Sequence, residues 1–313
     1  MNAEGVGGIL NIVTVGSGVE GYTATFSANV SNRGAGGGAF GTIKSGKLTV
    51  SARYNYNYND QPRNYNSGSQ HVTPEAVTEN SSNLDYDGSN KGHGSFQSGS
   101  MEASYEIDTL RLVTMSSDLG WVGIRVTALR TTSPLPGEHE RCSHYSYSAF
   151  NRSKSSWYSI DGGVDYQRLF KVKDRMLTFS YKINTRPQTS DSYTEYEIDN
   201  GYNPDWADYL NRLKNLHNDG EQNTTEHTFQ ADYTTPIGKL HTLEAGAKYI
   251  LRNNSSEDDR FDADDTGKYE YNKDQSSHYK HLNDIIAAYL GYGLKVKRLR
   301  AVWDCATSIP SKT

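Results

Sequence analysis

The 313-residue chain carries 32 basic and 37 acidic residues, a net charge of −5, and is only 35% hydrophobic, with a mean hydropathy of −0.77. Its 23 Tyr argue against a disordered chain, and its well-mixed charges argue against a dedicated nucleic-acid surface. No apolar run approaches the roughly 18 residues of a membrane helix, and the first residues do not read as a basic region followed by an apolar one.

In chain order the first feature is AEGVGGILNIVT, residues 3–14, a glycine-rich turn (Gly5, Gly7, Gly8) leading into a short apolar strand. A period of two then takes over, as in a β-strand with two different faces. Tyr22, Ala24, Phe26, Ala28 and Val30 alternate with Thr23, Thr25, Ser27 and Asn29. Leu48, Val50, Ala52, Tyr54, Tyr56 and Tyr58 alternate with Thr49, Ser51, Arg53, Asn55 and Asn57. Met101, Ala103, Tyr105 and Ile107 share a face in the same way, and so do Tyr158, Ile160, Val164 and Tyr166. The pattern continues through Leu177, Phe179, Tyr181 and Ile183, through Phe229, Ala231 and Tyr233, and through Leu243, Ala245, Ala247 and Tyr249. Residues 283–296 are apolar on both parities, so their faces stay unassigned.

These predicted strands run about 9–14 residues, and about 9–11 suffice for a tilted strand to cross a bilayer. Short connections near 45–47, 108–109, 171–175, 235–239 and 295–298 alternate with long polar stretches near 60–94, 118–154, 187–223 and 254–277. Such sorting puts every long loop on one side, as in outer-membrane barrels with tight periplasmic turns. A soluble sandwich has no reason to sort its loops this way. The apolar ribbon then faces lipid, with Tyr54, Tyr56 and Tyr58 in an aromatic girdle, while the polar ribbon faces a wet lumen. The predicted fold is all-β, an antiparallel up-and-down transmembrane β-barrel of about ten or eleven strands.

Two stretches break the pattern: WVGIRVTALRTTSPLPGEHERCS (121–143), with no strand parity, and the tail AVWDCATSIPSKT (301–313). They hold both cysteines, Cys142 and Cys305, and no disulfide is expected between them. A frameshift in the encoding gene is one reading of both stretches; an unusual external loop and a genuine tail is the other.

Beside this barrel pattern, Ala3–Thr14 resembles the end of the plug domain of TonB-dependent outer-membrane receptors, where an EG-x-x-GI-x-NIVT segment precedes the first barrel strand. Residues 151–187 (NRSKSSWYSIDGGVDYQRLF and onward) and 222–259 (QNTTEHTFQADYTTPIGKLH and onward) are similar to the outer-membrane β-barrel family of such receptors in Bacteroides-type bacteria. The resemblance implies that 1–16 is the end of a plug and 17–313 the N-terminal half of a 22-stranded barrel. Most of the plug, the TonB box and the signal peptide would then lie outside this chain. It further implies active uptake of a scarce ligand such as a ferric siderophore, cobalamin or glycan. The implied partners are outer-membrane lipid, the TonB energy-coupling system and a surface lipoprotein, with no nucleic acid. The alternatives are a passive porin-like barrel, which would lack the plug, and a surface β-rich adhesion module, which would have loops of similar length at both ends. Half a barrel leaves strand edges unpaired in lipid, so the chain alone is expected to be unstable unless it closes or pairs with another.

No Ser-His-Asp, Cys-His or carboxylate-pair spacing stands out and no P-loop is present, so no catalytic residue, cofactor or metal is predicted. Asp262, Asp264 and Gly267 echo a calcium loop, but Lys273 stands where a bidentate Glu is required, which favours a solvated acidic loop. His278 and His281 sit three apart, on opposite faces of a strand. Residues 205–220 read as a short amphipathic helix in an external loop, with Leu210, Leu213 and Leu216 on one side, Asp205 as cap and Gly220 as stop. The loop tyrosines Tyr65, Tyr86, Tyr193, Tyr196 and Tyr202 are expected to pack within loops and girdles rather than to stack on a ligand. Lys173, Arg175, Lys295, Lys297 and Arg298 are expected to be solvated periplasmic charges.

Overall fold

The computed structural model describes residues 20–72, 82–135, 146–200, 213–296 and 299–311. Residues 1–16, Cys142, Asp205, Leu210, Tyr202, Lys297 and Arg298 lie outside the described residues. The described regular structure is entirely β: β1 (Gly21–Ser31), β2 (Gly34–Ser45), β3 (Leu48–Val72), β4 (Ser82–Asp108), β5 (Arg111–Leu135), β6 (Ser146–Leu169), β7 (Met176–Thr185), β8 (Gln188–Asn200), β9 (Leu216–Ile237), β10 (His241–Ala263), β11 (Tyr269–Tyr271), β12 (Ser277–Val296) and β13 (Leu299–Ser311).

One antiparallel sheet runs β1-β2-β3-β4-β5-β6-β7-β9-β10-β12-β13, eleven strands in chain order. β11 only caps β10, and β8 extends β7. Both β7 and β8 pair with β6 and with β9, and the register is unchanged across Arg186–Pro187. Pro187 has no N–H to give the ladder, so β7 and β8 are one strand interrupted by a proline. Its carbonyl still accepts from the Tyr158 N–H at 3.1 Å. Among the described residues β1 pairs only with β2 and β13 only with β12.

The register joins the apolar parities into one surface, because directly paired residues share a face. Tyr22 pairs with Ile43, Ile43 with Val50, Val50 with Ala103, Ala103 with Met115 and Met115 with Val164. The row continues through Tyr181, Phe229, Tyr249 and Ile286. Among the described residues no second layer covers it. Phe26 is 81% exposed, Ile286 60% and Met115 51%, while Ala149 and Ala263 are the only buried hydrophobic residues among those described. The opposite face is polar, and the buried polar side chains, Thr178, Thr228 and Asp232, all lie on it. A two-layer soluble β-protein has the reverse arrangement.

The apolar surface also carries a tilt. Its stretch on β3, Leu48 to Tyr58, is centred on Arg53, whose row runs through Ser100, Asp118, Asp161, Asn184 and Glu226 to Arg252 on β10. On β10 the stretch Leu243 to Tyr249 is centred on Gly246, six residues short of Arg252, and six strand-to-strand steps separate β3 from β10. The surface therefore drifts about one residue per strand. With about 3.3 Å per residue and about 4.8 Å between strands, this corresponds to a strand tilt of about 35°, within the range of closed barrels. Eleven residues at that tilt rise about 30 Å, the thickness of a bilayer's hydrocarbon core.

Several expectations need correction. The long polar stretches are mostly strand: β3, β4 and β5 span 25, 27 and 25 residues, more than twice what crosses a bilayer. Beyond the apolar band both faces of a strand are wet, so the alternation that betrays a strand disappears. Residues 121–135 belong to β5, paired with β4 throughout and with β6 as far as Thr132, and 301–311 belong to β13, so strand structure continues through most of both anomalous stretches. The β1–β2 connection is only Asn32 and Arg33, which breaks the strict short–long alternation. The proposed helix is absent at its described end. Leu213 has no regular structure, and Leu216 and Gly220 lie in β9, opposite Asp262 and Asp258. Gly220 is no helix stop; it sits so close to Ser190 and Asp258 that a Cβ would come within 2.6 Å of the Ser190 Oγ.

The predicted tight turns near 45–47, 108–109, 171–175 and 235–239 hold, and the one near 295–298 falls partly outside the described residues. Gly46, Asp174 and Gly238 take the left-handed backbone at φ of 56°, 65° and 70°. At the β4–β5 turn Asp108 accepts from the Leu110 N–H at 2.9 Å and pairs with Arg111 at 2.6 Å. The Arg111 guanidinium, then the Leu110 amide, hold the Asp108 carboxyl below its usual range. Arg175 is more than a solvated charge, because its Nε donates to the Thr235 Oγ1 near the end of β9 at 3.1 Å.

Candidate functional site on the polar face

Along the row of Arg53 the polar face carries a belt of balanced charge. Arg252 meets Glu226 at 2.6 Å and Arg186 stands 3.9 Å from Asp161. Asn184 donates to Asp161, and the Arg53 guanidinium lies 5.5 Å from the Phe40 ring centre. With Asp118 the belt holds three cations and three anions, so it fixes the wall without giving it a net field.

Two clefts open beside this belt. One, of about 330 Å³, is lined by Arg53, Asn55, Phe96, Ser98, Asp118 and Trp157 among others. The other, of about 370 Å³, is lined by Arg186, Gln188, Gln222, Thr224, Asn254 and Tyr279 among others. Residues from up to four different strands form each cleft, so only the register reveals them. A visible signal did exist: Trp157 and Tyr158 are adjacent large aromatics, and the first falls on the polar parity.

Nearer the short turns, the polar face of β7, β9, β10 and β12 is closed by side chains. Tyr289 reaches across Gly246 and donates to the Asp232 Oδ1 at 2.6 Å, and Gln230 donates to the Oδ2 at 2.8 Å. Gly246 makes room for the ring, since a Cβ there would lie 2.2 Å from the Tyr289 Cε1.

Beyond the apolar band, Tyr193 stacks on His217 with centroids 4.0 Å apart, and His217 meets Phe261 at 5.4 Å. Tyr196 packs against Tyr147. Tyr65 is 78% exposed. Asp264 accepts from the Thr266 hydroxyl and from the amides of Thr266 and Lys268, which hold its carboxyl low. Burial alone would raise the Asp262 pKa, but the Arg260 and Asn272 hydrogen bonds outweigh it and lower it. Both carboxylates are thus engaged by nearby groups, Asp262 at the end of β10 and Asp264 in the loop that follows it. Among the described residues no group of three His, Cys, Asp or Glu is arranged around a metal position.

His278 and His281 fall on opposite parities of β12, opposite Glu257 and Asn254. His278 meets Asp259 at 2.8 Å. That hydrogen bond raises the imidazole pKa above its ordinary 6.5, only partly offset by burial. The contact therefore favours the folded wall fully below pH about 6.5 and ceases to do so as pH rises through the raised value. Asp259→Asn is expected to lower the midpoint of the His278 NMR titration; an unchanged midpoint would assign the shift to another group.

An antiparallel meander whose exposed face is apolar and whose opposite face is polar defines a partial outer-membrane β-barrel. Comparison with known proteins agrees: the model of an outer membrane protein beta-barrel family matches residues 168–302, placing the chain in the outer membrane. No curated protein matches the chain. Among solved structures it is similar to the crystal structure of the ferric yersiniabactin uptake receptor FyuA from Yersinia pestis, with 10% identity and a TM-score of 0.32. That match covers 88% of this chain and 46% of the receptor, so the chain spans less than half the receptor's length.

Proposed function

We propose that this sheet is the N-terminal half of the barrel of a TonB-dependent receptor of Bacteroides type, which takes up a scarce ligand actively. The observation that carries the reading is the height of the polar face. A passive pore needs a wall about as tall as the bilayer, whereas β3 to β6 run 24–27 residues and stand about 40 Å above the band. Such a wall gives a dilute ligand a polar surface to dock on before it enters the membrane. The resemblance of Ala3–Thr14 to the end of a plug supports the same reading.

The test is uptake by cells expressing the intact protein, with the TonB gene deleted or the proton gradient collapsed. Active transport predicts loss of uptake in both cases. Undiminished uptake would make the protein a passive pore.

A further inference from the structure

We propose that the outer wall of β4, β5 and β6 carries a site for the phosphate groups of a phosphorylated glycolipid in the outer leaflet. The inference rests on the chain's place in the outer membrane and not on the uptake reading. His93 pairs with Arg125 and Arg125 with Lys154, so the three form one register row. They stand ten residues beyond Ala103, Met115 and Val164 of the apolar row, an even number, and therefore share its lipid-facing side rather than the side of the clefts. Two residues further on, Lys91 and Arg152 share that face in one row, with Thr127 between them. All five side chains are exposed.

Like charges directly opposite each other destabilise a strand pair, and Arg125 and Lys154 are such a pair. Among the described residues none of the five forms an ion pair; Arg152 lies over the Phe150 ring at 5.5 Å. Carboxylates flank the row without neutralising it. Asp60 pairs with His93 in register and Asp191 with Lys154, but Asp191 is already held by the His217 Nε2 at 2.9 Å. The cluster therefore calls for an external anion, and guanidinium and ammonium groups suit phosphate.

Height selects the source of that phosphate. With the drift of one residue per strand, His93, Arg125 and Lys154 stand eight to ten residues above the centre of the apolar band, on the side of the long strands. At the strand tilt found above this is about 22–27 Å from the midplane, at and just beyond the outer edge of the headgroup region at about 20–22 Å. Long basic side chains reach the remaining distance by snorkelling. Lys91 and Arg152 lie about 5 Å higher again, within reach of a phosphorylated sugar headgroup but above the phosphate of a phospholipid. Four residues below the cationic row, Tyr56, Gln97, Trp121 and Tyr158 form another, with Trp121 41% and Tyr158 45% exposed. Such aromatics sit at the membrane interface and fix the same height independently. Between the two rows Ser95, Gly123 and Ser156 are small and leave a headgroup room against the sheet.

Fluorescence titration of the intact protein in neutral detergent tests the proposal. The probes are bisphosphorylated lipid A, its dephosphorylated form, phosphatidylglycerol and inorganic phosphate. Bisphosphorylated lipid A is expected to bind at least about tenfold more tightly than each of the others. The double substitution Arg125→Gln and Lys154→Gln is expected to weaken it about ten- to thirtyfold. Lys182→Gln with Lys248→Gln, an equal loss of charge on the polar face, should leave it unchanged. Equal binding of the phosphorylated and dephosphorylated lipids overturns the site, and that comparison needs no variant to fold. Unaltered binding by the folded double variant, or equal loss in both variants, overturns its location. Equally tight phosphatidylglycerol or inorganic phosphate overturns the glycolipid as the source. Equilibrium binding in detergent needs no energy source, so the outcome is independent of whether uptake depends on TonB.

Discussion

Ala103→Arg is expected to destabilise the membrane-inserted protein by about 2–4 kcal/mol, whereas Ser104→Arg, one residue along, costs no more than about 1 kcal/mol. Ala103 lies between Val50 and Met115 in the middle of the apolar row. A guanidinium there must snorkel, thin the bilayer or draw in water. Ser104 lies between Thr49 and Thr114 on the polar face, with Glu102 and Glu106 on the same parity to receive a cation. Guanidinium titration of the intact protein in phospholipid vesicles measures both. Equal costs would mean that the two faces of β4 do not meet different solvents.

Gly246→Ala is expected to cost about 2–5 kcal/mol, more than Tyr289→Phe at about 1–3 kcal/mol, in the same titration. An alanine Cβ at 246 would lie 2.2 Å from the Tyr289 ring and 2.5 Å from the Asp232 Oδ1, so ring and carboxylate must both move. That loses the Tyr289–Asp232 hydrogen bond and strains the strand pair, in a row where Asp232 is only 8% exposed. Tyr289→Phe loses the hydroxyl alone. Were Gly246→Ala the milder change, the ring could not be lying across the glycine.

These residues mark where the sequence was legible and where it was not. Inside the band one face meets lipid and the other water, so Leu48 to Tyr58 announce both strand and face without help. On β12 both parities are apolar, and only pairing separates Ile286, Ala288 and Leu290, in the lipid-facing row, from Ile285, Ala287 and Tyr289. Tyr289 looked like a second apolar stripe because its partner, Asp232, is 57 residues away. Above the band water wets both faces, and strands such as Ser82–Gly94 read as loop. Leu213 and Leu216 mimicked a helical spacing across the start of β9, where an irregular segment runs into strand. The clefts were invisible for another reason: Asn55 and Trp157, like Gln188 and Asn254, come to line one cleft only when strands far apart in sequence are in register.

Spin labels placed one at a time from residue 48 to 58, in protein with Cys142 and Cys305 changed to serine and inserted in bilayers, address the central claim most directly. A period of two is expected. Labels at 48, 50, 52, 54, 56 and 58 should be relaxed by lipid-soluble oxygen, and those at 49, 51, 53, 55 and 57 by a water-soluble nickel chelate. The opposite phase, or no period at all, would contradict it.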